Sequence, residues 1–206
     1  MQAIIMAGGK GTRLRPYTNI LPKPLLPVGN KSILDINIRQ LVASGVDNII
    51  IAVGYLGELI ETVIGNGDSY GIKINYSYED QPLGTVGGLA LMKNLLEDQF
   101  IVMNGDILTT SDFSHIYQFH LDQDSDITVT AKDYYISIPY GVINYEGAII
   151  KSIQEKPSQR FFCNAGIYAL SSKMINNIKS NTFLNMTDVI EKCISDGGNV
   201  SVFPLH

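Results

Sequence analysis

The N-terminal run Met1-Gln-Ala-Ile-Ile-Met-Ala-Gly-Gly-Lys-Gly-Thr-Arg-Leu-Arg-Pro16 narrows what this chain can fold into more than any other stretch. Ala3 to Met6 is continuously apolar, the pattern of a strand covered on both faces, and such strands belong to parallel sheets flanked by helices. The strand empties straight into a basic loop. Gly8, Gly9 and Gly11 let the backbone take positive φ and come close to a ligand. Successive N–H groups in a turn of this kind converge on an anion, and the Arg13 guanidinium adds a fork of donors matched to phosphate oxygens. The stretch reads as a phosphate cradle, with an ordinary tight turn as the plain alternative for the glycines alone. Its spacing fits neither of the two best-known phosphate loops. A dinucleotide fingerprint needs a glycine where Leu14 stands, and a P-loop needs Ser or Thr where Gly11 follows Lys10.

The rest of the chain alternates helix and strand signals. Ser32 with Asp35 predicts a capped helix whose stripe is Ile33, Ile36, Leu41 and Val42, ending at Gly45. Asn48 to Val53 reads as a central strand, Leu56 to Ile64 as a helix, and Lys73 to Tyr78 and Phe100 to Met103 as further strands. A helix from about Asp112 to Asp124 precedes a strand at Asp126–Lys132. Tyr140 to Gln154 reads as a hairpin turning at Glu146-Gly147. Phe161–Leu170 is a strand, Ser171 caps a short helix to Lys179, a last helix covers Thr187–Ser195, and Asn199 to Phe203 is a final strand. This rhythm predicts an α/β fold: a Rossmann-like open, mostly parallel sheet with helices on both faces and a small β-hairpin insertion, in one domain spanning 1–206. Ligands collect beyond the carboxyl ends of the strands in such sheets.

Motifs stand at those ends. Lys23 lies between two prolines, a cation on a stiff loop that packing alone does not explain. Asp106 follows Asn104-Gly105 at the end of the fourth strand and offers the hard oxygens that Mg²⁺ prefers, while a turn or helix-capping aspartate is the bland alternative. Gln81-Pro-Leu-Gly-Thr-Val-Gly-Gly88 places small residues and a hydroxyl where a planar base could lie against backbone, or where glycines allow close packing. Glu155-Lys156-Pro157 pairs an acceptor for hydroxyls with a cation for phosphate, against the ordinary fate of Glu-Lys as a solvated surface pair. His115, His120 and His206 lack ligand spacing and read as core or solvent residues.

Gly9-x-Gly11-Thr12-Arg13-x-x-Pro16 followed by Leu21-Pro-Lys23-Pro-Leu25, then Leu83-Gly84-Thr85, Asp106, Glu155-Lys156-Pro157 and Asn164-Ala-Gly166-Ile-Tyr168, resembles in order the motifs of the sugar-1-phosphate nucleotidylyltransferases. The Phe161–Leu170 run and the ending Val202-Phe-Pro-Leu-His206 are most similar to the mannose-1-phosphate guanylyltransferase branch. The resemblance implies transfer of a nucleoside monophosphate from an NTP, GTP by the form of the Leu83-Gly84-Thr85 loop, to a sugar 1-phosphate, releasing pyrophosphate. It implies catalytic roles for Arg13, Lys23, Asp106 and Lys156, with Asp106 the Mg²⁺ ligand. Ala7, Gly8, Gly9, Gly11, Thr12, Arg13, Gln81, Gly84 and Thr85 would bind the nucleotide, within a nucleotide half at 1–111. Asn104, Gly141, Glu155, Lys156, Asn164 and Tyr168 would bind the sugar phosphate, mostly within a half at 112–206. A transferase for uridylyl or another base, or a non-catalytic sugar-nucleotide-binding fragment, are the competing readings.

A net charge of −5 argues against a general nucleic-acid or anionic-membrane surface, so a polyanionic substrate must be met by local cations. Cys163 and Cys193 lack metal-ligand spacing and read as reduced thiols of a cytoplasmic protein. No apolar run approaches the ~18 residues of a membrane span. One departure from the family pattern stands out: a Trp-x-Asp-Ile-Gly-like segment, implied to carry a second metal-binding aspartate, is missing from a chain that has no tryptophan. The expectation is a C-terminally incomplete sugar half, a natural product extending beyond His206, and poor turnover by these residues alone. Homo-oligomerisation is left open.

Overall fold

The structure, a computed structural model, describes residues 1–176 and 178–205. In chain order the elements are β1 (Gln2–Ala7), a ribbon of β2 (Pro27–Val28) and β3 (Lys31–Ser32), α1 (Ile33–Ala43), β4 (Asn48–Val53), α2 (Gly57–Ile64), β5 (Lys73–Tyr78) and α3 (Gly84–Gly87). They continue as β6 (Gln99–Asn104), α4 (Phe113–Asp122), β7 (Ile127–Ser137), β8 (Val142–Glu146), β9 (Ile149–Gln154), β10 (Ser158–Ser171), α5 (Lys173–Asn176), α6 (Met186–Ser195) and β11 (Val200–Leu205). Seven strands form one sheet in the order β11-β7-β10-β6-β1-β4-β5. β1 pairs in parallel with β4 and β6, β4 with β5, and β11 with β7, while β10 runs antiparallel to both its neighbours. The mostly parallel α/β sheet expected from the sequence is thus present.

Continuous apolar strands are explained by cover on both faces. Ile5, Ile49, Ile51, Ile101 and Met103 point to a cluster with Leu34, Ile38 and Leu41 of α1, Ile60 of α2 and Phe113 and Ile116 of α4. Their neighbours Ile4, Ile50, Phe100 and Val102 point the other way, against Val86 of α3, Ile175 of α5 and Val189 and Cys193 of α6. Period-2 alternation therefore sorts one strand between two cores. α1 is capped by Ser32, whose Oγ accepts from the Asp35 N–H at 3.1 Å. Its buried row is Leu34, Asn37, Ile38 and Leu41. The stripe expected through Ile33 and Ile36 is displaced by one residue, because the i, i+3/i+4, i+7 ridge facing the sheet starts at Leu34.

Other boundaries differ as well. β7 and β10 run well past the expected Lys132 and start before the expected Phe161, since beyond the sheet they pair with each other from Asp133↔Phe162 to Ser137↔Ser158. This ribbon carries the β8–β9 hairpin, whose turn holds Gly147 at φ 61°. Ser171 is the last residue of β10 and does not cap a helix: its N–H donates to the Asp126 carbonyl at 3.0 Å, and the helix that follows covers Lys173–Asn176. The remainder of that expected helix includes Asn177, which lies outside the described residues, as does His206. Cys163 is exposed and Cys193 buried, both free. No helix among the described residues is long and apolar enough to cross a membrane.

Candidate active site

A cleft of about 480 Å³ opens along the carboxyl edge of the central strands. β1 delivers the glycine loop to it, β5 delivers Glu79, and β6 delivers Asn104 and Asp106. Of the residues marked in the sequence, Ala7, Gly8, Gly9, Gly11, Arg13, Lys23, Gly84, Thr85, Asn104 and Asp106 line it together. Gly11 sits at φ 58°, and an added Cβ would come within 2.9 Å of Thr18 Cγ2, so the loop's shape requires glycine there. The Thr18 hydroxyl fixes that bend by donating to the Gly11 carbonyl at 2.9 Å.

Lys23 and Asp106 form an ion pair in the cleft, with side-chain exposures of 28% and 35%. The stiff Pro22-Lys-Pro24 loop and the end of β6 therefore bring the two expected charges to one point. Asp106 also passes a test of fit for a divalent ion. Mg²⁺ takes one or two carboxylates and completes its octahedron with substrate phosphates and water, and an accessible Asp oxygen beside an anion cradle meets that description. Among the described residues no group of three or more His, Cys, Asp or Glu could hold a metal, so such an ion would lean on substrate oxygens.

The Gln81–Gly88 loop serves two ends at once. The segment Thr182–Asn185, from the far end of the chain, lies across it: Leu184 donates its N–H to the Leu83 carbonyl at 2.9 Å and its carbonyl accepts from Val86 N–H at 3.0 Å. Gly84 has φ 76°, and a Cβ there would lie 2.5 Å from the Leu184 carbonyl oxygen. Its lack of a side chain is thus explained by close backbone packing, while its surface still faces the cleft. Thr85 accepts from the Met186 N–H at 2.7 Å and so anchors the start of α6. Gln81 and Thr12 are exposed and do not line the cleft.

The remaining expected residues lie elsewhere. Asn164 lines a second hollow of about 600 Å³, formed by residues 107–111 with Lys132, Asp133, Tyr134 and Leu205. It stands at a register shift in β10, where its Oδ1 accepts from the Gly166 N–H at 2.9 Å and its Nδ2 donates to the Tyr168 hydroxyl at 2.8 Å. Tyr168 is only 5% exposed, its hydroxyl held by Asn164, and burial pushes its hydroxyl pKa upward. Gly141, Glu155 and Lys156 cluster at the base of the hairpin, all exposed, with a Cβ on Gly141 falling 3.1 Å from Glu155 Oε2. They line neither the cleft nor the hollow.

Glu79, Phe183 and Asn185 line the cleft although the sequence reading gave none of them a role, Glu79 standing there only as the first residue of the loop after the third strand. Glu79 was legible in principle, as a carboxylate at the end of a parallel strand. Burial is the largest influence on it and pushes its pKa up, and the Leu83 N–H partly opposes this. Phe183 and Asn185 carry no local signal, since only the chain crossing brings them in.

The Nucleotidyl transferase family matches residues 2–205. The chain is 40% identical over 188 residues to the mannose-1-phosphate guanylyltransferase catalytic subunit beta of Danio rerio, covering 87% of this chain and 52% of that protein. It is 37% identical over 186 residues to a mannose-1-phosphate guanyltransferase of Yarrowia lipolytica, covering 86% and 51%. The chain thus spans about half the length of the curated relatives it matches. A Bacillus anthracis structure described as a glucose-1-phosphate thymidylyltransferase, in complex with sucrose, superposes with a TM-score of 0.79 at 25% identity, over 100% of this chain and 87% of that one.

Proposed function

The chain belongs to the nucleotidyl transferase family, and from that premise we propose that it takes part in transfer of a guanylyl group from GTP to a sugar 1-phosphate, mannose 1-phosphate by its relatives' names, with release of pyrophosphate. The observation that carries the reading is the convergence of Arg13, the glycine-loop backbone, Lys23 and Asp106 in one cleft. In the proposed reaction a sugar-phosphate oxygen attacks the α-phosphorus in line, a bond forms to that oxygen, and the bond to the β-phosphate oxygen breaks. No covalent link to the protein is required. The residues then act by positioning and charge neutralisation. The loop N–H groups and Arg13 hold the departing pyrophosphate, and Lys23 offsets charge at the transferring phosphorus once substrate phosphates draw it from Asp106. Bound at Asp106, Mg²⁺ would supply neutralisation of the reacting phosphates.

Asn104 and Asn164, braced by Tyr168, would meet the sugar, with Gly141, Glu155 and Lys156 closing on its phosphate from the hairpin base. Ala7, Gly84 and Thr85 would complete the nucleotide contacts within the cleft, with Thr12 and Gln81 meeting the nucleotide only from outside its wall. The reading takes the reaction to be cytoplasmic. Pyrophosphate release, measured for each of four NTPs against a panel of sugar 1-phosphates, tests it. Release strongest with GTP and mannose 1-phosphate is expected; no release or nucleotide binding with any pair would refute it.

A further inference from the structure

We infer that the β8–β9 hairpin is where two copies of this chain associate, face to face about a twofold axis. Every residue of β8 and β9 is exposed, so the hairpin receives little cover from its own chain among the described residues. Its two sides differ. The register sets Ile143 opposite Ile153 and Tyr145 opposite Ile150, and these four share one side because successive strand residues alternate. On the other side Val142, Asn144 and Glu146 oppose Gln154, Ser152 and Ile149, a mixture that water can meet. The four residues of the apolar side are 50–69% exposed. A two-stranded hairpin is marginally stable in water by itself, and a wholly apolar side on one calls for a cover.

Area and charge favour a second copy as that cover. At roughly 200 Å² for a large side chain, more than half exposed, the four present roughly 450 Å² of surface. Homodimer interfaces are about 65% apolar, so an apolar centre of this size goes with about 700 Å² per partner, close to the ~800 Å² of a stable association. A twofold pairing also needs the patch to complement itself. The chain as a whole carries −5, which opposes its own association, but residues 132–160 do not share that excess. They hold Lys132, Lys151, Lys156 and Arg160 against Asp133, Glu146 and Glu155, and Glu146 pairs with Lys151 at 3.0 Å and Asp133 with Arg160 at 2.7 Å. Such a balanced rim neither repels its like nor draws an anionic membrane or a nucleic acid. The four apolar residues line neither the cleft nor the second hollow, so the association uses the lining of neither.

Sedimentation velocity on the whole chain, from micromolar to hundreds of micromolar concentration, tests it. The wild-type chain should pass from one copy to two, with a limiting mass twice the 22.6 kDa of the chain. Ile153→Lys, which sets a charge in the apolar centre of each copy, should weaken the association at least about 100-fold. Ile143→Ser removes apolar surface without adding charge and should weaken it about tenfold. Ser152→Lys, on the opposite side of the same hairpin, should associate like the wild type. Far-ultraviolet circular dichroism checks that each variant is folded, and the milder Ile143→Ser decides the matter if Ile153→Lys is not. A wild-type chain that stays single over the whole range, a dimer that Ile143→Ser and Ile153→Lys leave equally tight, or one that Ser152→Lys weakens as much as they do would overturn the inference.

Discussion

Gly84→Ala isolates the cost of the chain crossing that closes the nucleotide loop. Gly84 has φ 76°, and an added Cβ would stand 2.5 Å from the Leu184 carbonyl oxygen and 3.0 Å from Asn185 Oδ1. The left-handed backbone costs alanine roughly 1–2 kcal/mol, and pressing a methyl group into fixed backbone adds roughly 1–3 kcal/mol, for a destabilisation of about 2–5 kcal/mol. Gly197 is the matched control, with φ 78° and nothing within 4 Å of its added Cβ, so Gly197→Ala should cost only the first part, about 1–2 kcal/mol. The sequence contains no tryptophan, so urea unfolding is best followed by far-ultraviolet circular dichroism. The midpoint should fall further for Gly84→Ala at unchanged m-value. Melting should follow, since each kcal/mol moves the Tm of a domain this size by about 2–4 °C. Equal losses in the two variants would refute the argument that glycine is held at position 84 by the crossing backbone.

Asp106→Asn should lower pyrophosphate release at least about 100-fold with Tm nearly unchanged, because the partly exposed pair with Lys23 adds no more than about 1 kcal/mol to the fold; near-normal release at saturating Mg²⁺ would remove Asp106 from the site. Arg13→Ala should chiefly raise the KM for NTP and Lys156→Ala that for sugar 1-phosphate, each by about 1–3 kcal/mol, and identical damage to both constants in steady-state kinetics would contradict the separate roles. Folding raises the Glu79 pKa, so the folded chain holds that proton better than the unfolded one. The stabilisation this brings is complete below the ordinary glutamate range and is lost as pH rises through the folded value. Ligand-free Glu79→Gln should therefore be more stable than the wild-type chain near neutral pH and less pH-dependent above the glutamate range; a variant no more stable at pH 7 than at pH 4, relative to wild type, would refute the burial argument.

The central architecture was legible because both-face burial leaves a plain mark in sequence. Asn48–Val53 and Lys73–Tyr78 have the observed bounds, and the glycine loop, Lys23 and Asp106 share one cleft because parallel strands all deliver their carboxyl ends to one edge. What was hidden depends on contacts between distant segments. The outer halves of β7 and β10 are strands only because each pairs with the other, so the apolar run at Phe161 gave no sign of a start at Ser158. Tyr168, part of a recognisable motif, is buried behind Asn164, a difference set by the register shift in β10. Glu79 was passed over in favour of Gln81, two residues on in the same loop. Side-chain chemistry alone does not say which of the two turns inward.

The bond between Leu184 and Leu83 joins residues about a hundred positions apart, and it bears on how the protein comes into being. Contacts of such sequence separation are closed late, after the loop between them has lost its freedom, and they slow folding. A chain emerging from the ribosome can pair β1 with β4, and β4 with β5, long before Thr182 exists, yet its nucleotide cleft lacks a wall until Phe183 and Asn185 arrive. During synthesis the glycine loop would thus be formed while its pocket is still open to water on one side. Nucleotide, by binding only the closed form, would then favour completion of the fold in proportion to its concentration over its dissociation constant.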